Sequence, residues 1–183
     1  MIKPKEIIRV GLILFAITAV SALLLAFANK ITAPIIEENN RIKTEAAMRT
    51  VLPEAESFTK AGIEGVDEVY IGNSGDKLAG VCVVSSAFGY GGEIKLITGI
   101  DANGEVTGID ILSHSETPGL GANAEKPEFT SQFEGKTKDM GVSRGKATGN
   151  EINAMSGATI TSKAVTEAVN KALEAAELLI KEQ

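Results

Sequence analysis

One cysteine, Cys82, and one histidine, His114, stand in a chain of 183 residues. A lone cysteine excludes an internal disulfide framework and any zinc or iron–sulfur site built on several thiolates. A lone histidine excludes a histidine-rich metal site. Tryptophan is absent and aromatics make up only 4%. Basic charge is also short. Eighteen Lys and Arg against 24 Asp and Glu leave a net charge of -6. No excess remains to neutralise a phosphate backbone, so nucleic acid is not the expected partner. No internal repeat or low-complexity segment is present, and the length suits one domain plus an accessory segment.

Hydrophobic residues are plentiful and unevenly spread. Val10 to Ala28 reads VGLILFAITAVSALLLAFA, without a charge. At 1.5 Å per residue it spans about 28 Å, close to the hydrocarbon thickness of a bilayer. A buried core helix rarely lacks a polar stripe. A secretory signal peptide shares the basic front (Lys3, Lys5, Arg9) and the small-residue site Ala26-Phe27-Ala28. Its apolar region, however, runs to about 7–15 residues, and this one is longer. The run therefore reads as a retained transmembrane anchor. Three basic residues precede it and only Lys30 follows closely. The positive-inside rule then expects a cytoplasmic N-terminus, with residues from about 31 onward outside the cytoplasmic membrane. A free cysteine is tolerable there if buried, and Cys82 sits in the apolar run Val81 to Val84.

Ile31 to Met48 mixes charges with apolar residues at near-helical spacing, and Pro34 suits a helix start. The expectation is a helix over about 34–50, ended by Pro53. Four β-rich runs follow: Glu68–Ile71, Lys77–Ser85, Glu93–Ile100 and Val106–Leu112. The turn signals between them, NSGD, GYGG and DANG, are short and favour antiparallel pairing. Pro127–Phe133 reads as a short helix and Gly135–Gly149 as a loop or weak strand. Ser162–Lys181 lacks Gly and Pro and carries Val165, Val169, Leu173 and Ala176 along one helical face.

Two segments carry chemistry. Met155-Ser156-Gly157-Ala158-Thr159-Ile160-Thr161-Ser162 packs four hydroxyls before the last helix. Capping by Thr161 or Ser162 explains one or two of them. The other reading is an anion site. Free N–H groups and the positive helix end hold a phosphate, hydroxyls add donors, and Gly157 allows close approach. It is not a Walker loop, since GxxxxGK[ST] is absent. Ser113-His114-Ser115-Glu116-Thr117-Pro118-Gly119-Leu120-Gly121 is the second. It reads either as a connecting loop with a solvated histidine or as a His–Glu acid/base unit. No nucleophile lies nearby in sequence.

Taken together, SGATITS before a terminal helix, HSETPGLG upstream and GYGG between strands resemble the FMN-binding domain family. Within it, the arrangement is similar to the G subunits of Rnf complexes and to NqrC of sodium-pumping NADH:quinone oxidoreductase. The resemblance covers nearly the whole chain, anchor included. It implies FMN joined through a phosphoester to Thr159, with Thr161 as the alternative acceptor. It also implies a flavin transferase that makes the bond from FAD. That enzyme's recognition pattern usually has Asp three residues before the motif's Ser, where Asn153 stands here. Ser156, Gly157, Ala158, Ser162 and Lys163 are implied phosphate-side residues. Glu116, Thr117, Pro118, Gly119, Leu120 and Gly121 would approach the isoalloxazine ring, with Leu120 packing on it and Thr117 as the side-chain contact. Tyr90 would form a second wall. No residue is implied as an acid/base catalyst or metal ligand.

The resulting expectation is an α+β protein. It has a transmembrane anchor (1–30), a connecting helix (31–53) and an extracytoplasmic antiparallel-sheet FMN-binding domain with flanking helices (54–183). Its implied work is electron transfer as one component of an inner (cytoplasmic) membrane complex. That complex would couple ferredoxin:NAD⁺ electron transfer to Na⁺ or H⁺ translocation, with other membrane subunits as partners and no complete turnover alone. The alternatives are an NqrC-like subunit, a stand-alone flavoprotein reductase, and a non-redox anchored module for a phosphorylated ligand.

Overall fold

The computed structural model describes residues 4–63 and 65–181. The chain divides into two compact units, 1–42 and 43–183. Helix α1 runs unbroken from Pro4 to Val51 and takes in both the apolar span and the charged stretch after it. Pro34 lies inside this helix rather than at a helix start. Its fixed φ is helical and it removes a single ladder bond, so helix formers on both sides carry the helix through. Side chains of the apolar span are exposed almost throughout. Among the described residues, α1 is the one helix long and apolar enough to cross a membrane.

The second unit is built on a five-stranded antiparallel meander in the order β1-β2-β3-β4-β5. The strands are β1 (Ser57–Ala61), β2 (Glu68–Ser74), β3 (Lys77–Phe88), β4 (Glu93–Asp101) and β5 (Val106–Ser113). Local chemistry closes the hairpins. In the β4–β5 turn the Asp101 carboxylate accepts from the N–H groups of Asn103 and Glu105, both at 2.9 Å, and Gly104 takes φ +83°. β3 is buried over Gly80–Ser85, an unbroken run rather than an alternating one. Such a run belongs to a strand covered on both faces.

Helix α3 (Thr159–Lys181) covers one face. Its Val165, Val169, Ala172 and Leu173 pack with Val81, Val83, Leu96, Ile100 and Ile111. Phe129 and Phe133, from the short helix α2 (Pro127–Thr130) and the turn after it, close this core edge-to-face at 5.4 Å. The last turns of α1 cover the other face, where Ala47, Met48, Val51 and Leu52 meet Cys82, Val84, Ile97 and Leu112. The fit there is tight. A Cβ on Gly99 would lie 2.2 Å from the Val51 carbonyl oxygen. That carbonyl, one of those left over at the helix end, accepts the Thr107 hydroxyl proton. Cys82 is fully buried, and burial pushes its thiol up to about 12.

Four elements depart from the sequence expectation. β1 has no strong apolar alternation and exists because it pairs with β2, from Ser57 opposite Asn73 to Ala61 opposite Val69. Within and after the segment read as a loop or weak strand, β6 (Gly141–Ser143) and β7 (Glu151–Asn153) pair in parallel. The Asn170 side-chain amide gives and takes one bond with Met140, each 3.0 Å, and so ties α3 to β6. Finally, α3 starts at Thr159 rather than Ser162.

Thr98 on β4 is buried, and its hydroxyl has no partner among the described residues. Thr98→Val keeps the shape and removes that unsatisfied group. It is expected to stabilise the protein by about 1 kcal/mol and raise the melting midpoint by about 2–4 °C. A midpoint at or below wild type would show that the hydroxyl is satisfied in solution.

Candidate functional site

The hairpin joining β3 to β4 and the segment leaving β5 emerge at the same end of the sheet. They meet the start of α3 there, and Glu116 is the contact between them. Its side chain is buried at 6% exposure. One carboxyl oxygen accepts the Gly91 N–H at 3.0 Å. The other accepts the Thr161 hydroxyl at 2.8 Å. Glycines make the room: a Cβ on Gly89 or Gly121 would lie 2.2 Å from a Glu116 oxygen. A Cβ on Gly91 would lie 2.2 Å from the Ser115 carbonyl oxygen. GYGG, ETPGLG and SGATITS, separate in sequence, thus share one buried carboxyl group.

His114 braces the same segment. Its Nδ1 accepts the Glu116 backbone N–H at 3.0 Å, and Nε2 lies 3.1 Å from a Glu125 carboxylate oxygen. Nδ1 as acceptor places the proton on Nε2 in the neutral ring. Both nitrogens are engaged within the protein, which suits a support more than a proton shuttle.

The four hydroxyls of SGATITS divide into two pairs. Thr161 is buried and donates to Glu116. Ser162 is buried, donates to the Ala158 carbonyl at 2.9 Å and accepts the Met155 N–H at 3.0 Å. Ser162 thus ties the turn before α3 to the helix without capping the helix's first N–H groups, and the glutamate accounts for Thr161. Ser156 is exposed and Thr159 half-buried. Neither side chain is hydrogen-bonded within the described residues. They flank Gly157, whose φ of +73° turns the chain into α3. The first N–H groups of α3 have no intrahelical partner. Two free hydroxyls, unpaired amides and a positive helix end are together an arrangement that could hold a phosphate.

Apolar side chains stand beside it. A Cβ on Gly157 would come within 3.1 Å of Leu120, which places Leu120 against the SGAT turn. Leu120, Ile160 and Tyr90 are exposed, Tyr90 at 75%. Thr117, Pro118 and Gly119 form an exposed turn. In it the Thr117 carbonyl accepts from Leu120 and Ala122, and Gly119 takes φ +79°. A flat aromatic ligand with a phosphate tail matches this pairing of an apolar edge with an anion cradle. Lys163 is exposed and lines a groove with Met140, Val142 and Thr166. Asn153 accepts the Ala147 N–H at 2.7 Å and fixes the loop between β6 and β7. Among the described residues no group of acidic, cysteine or histidine side chains could hold a metal.

Sequence reasoning missed Ile160 and the role of Gly89 and Gly91. The doubled small residues of GYGG were the available signal, since they mark a backbone that something approaches closely.

The FMN-binding domain family matches residues 89–174, and the RnfG N-terminal region matches residues 1–51. The G subunit of the Na(+)-translocating ferredoxin:NAD(+) oxidoreductase complex of Acetobacterium woodii is 40% identical, over 97% of this chain and 95% of the relative. The G subunit of the proton-translocating ferredoxin:NAD(+) oxidoreductase complex of Clostridium ljungdahlii is 38% identical, over 85% of this chain and 83% of the relative. Among solved structures, the C subunit of the Na(+)-translocating NADH-quinone reductase of Parabacteroides distasonis superposes with a TM-score of 0.63 at 20% identity. That match covers 81% of this chain and 96% of the other. NqrC of Shewanella oneidensis gives 0.54 at 19% identity, over 72% and 73%. These structures share the fold.

The division of the hydroxyls is directly testable. Ser162→Ala leaves the Met155 N–H unpaired and is expected to cost about 1–2 kcal/mol. Ser156→Ala removes no internal bond and should stay within about 0.5 kcal/mol of wild type. Thermal midpoints of the two variants, compared side by side, check the contrast; equal effects would contradict it.

Proposed function

The chain belongs to the family of G subunits of ion-translocating (Rnf-type) oxidoreductase complexes, and from that membership we propose that it carries FMN covalently on Thr159 as an electron-transfer subunit. The carrying observation is the pair of unengaged hydroxyls, Ser156 and Thr159, at the start of α3 and beside exposed Leu120 and Ile160. Thr161, the alternative acceptor, is less suited because its hydroxyl is buried and given to Glu116. In the attachment, the Thr159 oxygen displaces AMP from the flavin-side phosphate of FAD, and a flavin transferase is the partner that carries out this exchange.

FMN, when bound, supplies the one- and two-electron redox chemistry that no side chain here offers. The protein does the rest. The N–H groups at the start of α3 and the Ser156 hydroxyl hold the phosphate charge. Leu120 and Tyr90 shield the ring from water on its apolar side. The exposed Thr117–Gly119 turn meets its polar edge through backbone groups other than the Thr117 and Gly119 carbonyls, which are bonded within the protein. Glu116 and His114 hold these parts in place and take no part in electron transfer.

The anchor is α1, with the N-terminus in the cytoplasm and the flavin domain outside it. This orientation rests on Lys3, Lys5 and Arg9 before the span. Covalent attachment suits such a location, because a cofactor lost outside the cell is not replaced. The electron partners are neighbouring membrane subunits of the complex, which couples ferredoxin:NAD⁺ electron flow to Na⁺ or H⁺ transport.

Two outcomes test this reading. The full chain, expressed with a flavin transferase and denatured, should give a gel band fluorescent under ultraviolet light, and Thr159→Ala should abolish it. A dark wild-type band would leave a non-redox phosphate-ligand module as the better account. Separately, protease added to right-side-out vesicles lacking the partner subunits should digest the domain. Digestion only in inverted vesicles would reverse the orientation.

A further inference from the structure

We propose that Glu116 is a positioning residue that presets the flavin cleft from beneath, before any flavin arrives. The proposal rests on the covalent-flavin reading above and deepens it. The Glu116 carboxyl group joins the β3–β4 hairpin to the first turn of α3, through Gly91 at 3.0 Å and Thr161 at 2.8 Å. Thr161 lies two residues after the acceptor Thr159, in the same helical turn. Glu116 also begins the turn that carries Thr117 and Leu120. One carboxyl group therefore fixes the distance between the phosphate cradle and the surface the ring meets.

Three features argue that this is more than core packing. The group is an acid in a place where an apolar side chain of similar size would cost less to bury. Its surroundings are fitted to it, since a Cβ at Gly89 or Gly121 would collide with its oxygens. Its backbone is itself held, by the N–H bond to His114 at 3.0 Å. A hydrogen-bonded carboxyl group fixes direction as well as distance, which an apolar contact does not. Thr161 follows the same logic, because its buried hydroxyl serves the glutamate alone.

The test uses the full chain in membranes, expressed with a flavin transferase and carrying an epitope tag to count chains. The variants are Glu116→Gln, Thr161→Val and Thr161→Ser. Glu116→Gln and Thr161→Val are expected to lower the flavin carried per chain by about tenfold, the effect of losing one charge-assisted hydrogen bond. Thr161→Ser keeps the hydroxyl and should restore wild-type loading. Flavin that does load on the two weakened variants should show shifted visible absorption bands, a change that loss of stability alone does not produce. Wild-type loading with wild-type bands in both overturns the proposal, and so does failure of Thr161→Ser to restore loading. Should Thr161→Val not accumulate, Glu116→Gln decides by its bands: unshifted bands overturn the proposal. A dark wild-type band fails the covalent-flavin reading instead. A glowing Thr159→Ala band beside a dark Thr161→Val band would move the attachment to Thr161 and overturn the positioning role.

Discussion

Burying a carboxyl group costs several kcal/mol unless donors meet it where it lies. Around Glu116 the donors are a backbone N–H from Gly91 and a hydroxyl from Thr161, supplied by two segments far apart in sequence that the core beneath already brings near. The constraint works in both directions. The acid is tolerable only while the hairpin and the start of α3 stay in contact, and its two hydrogen bonds add direction to a contact that the apolar core holds. Everything exposed at the site hangs from this arrangement: the Thr117–Leu120 turn above the glutamate, the SGAT turn beside Leu120, and Thr159 at the head of the helix.

The sheet beneath is equally constrained from two sides. α3 lies on one face and the end of α1 on the other, so β3 tolerates little polarity anywhere along its buried run. Gly99 and Thr107 show how close the second contact is, one by making space for the Val51 carbonyl and the other by donating to it.

Much of this is legible in the chain itself. The long apolar helix, the four longer strands and α3 follow from charge-free length, turn chemistry and periodicity, signals that act locally. β1 and the β6–β7 pair do not, because each is short and exists through its partner rather than through its own pattern. The site divides the same way. A cluster of hydroxyls before a helix is visible in one dimension, and it marks the segment as a candidate. That Thr161 and Ser162 are bonded internally is a matter of which way a helix turns, and four hydroxyls look alike in one dimension. Glu116 illustrates the limit most clearly. Its neighbourhood in sequence suggests a residue facing the ring, whereas the glycines of a distant hairpin draw its carboxyl group inward.

The spacing of Glu116 and Thr161 also bears on the order in which the site assembles. They are 45 positions apart, and the second lies in the last helix. Closing a loop of that length costs chain entropy before the contact gives anything back, so such contacts form late. The first turn of α3 is therefore set against the Glu116 segment only once the last helix has been made and folded onto the sheet.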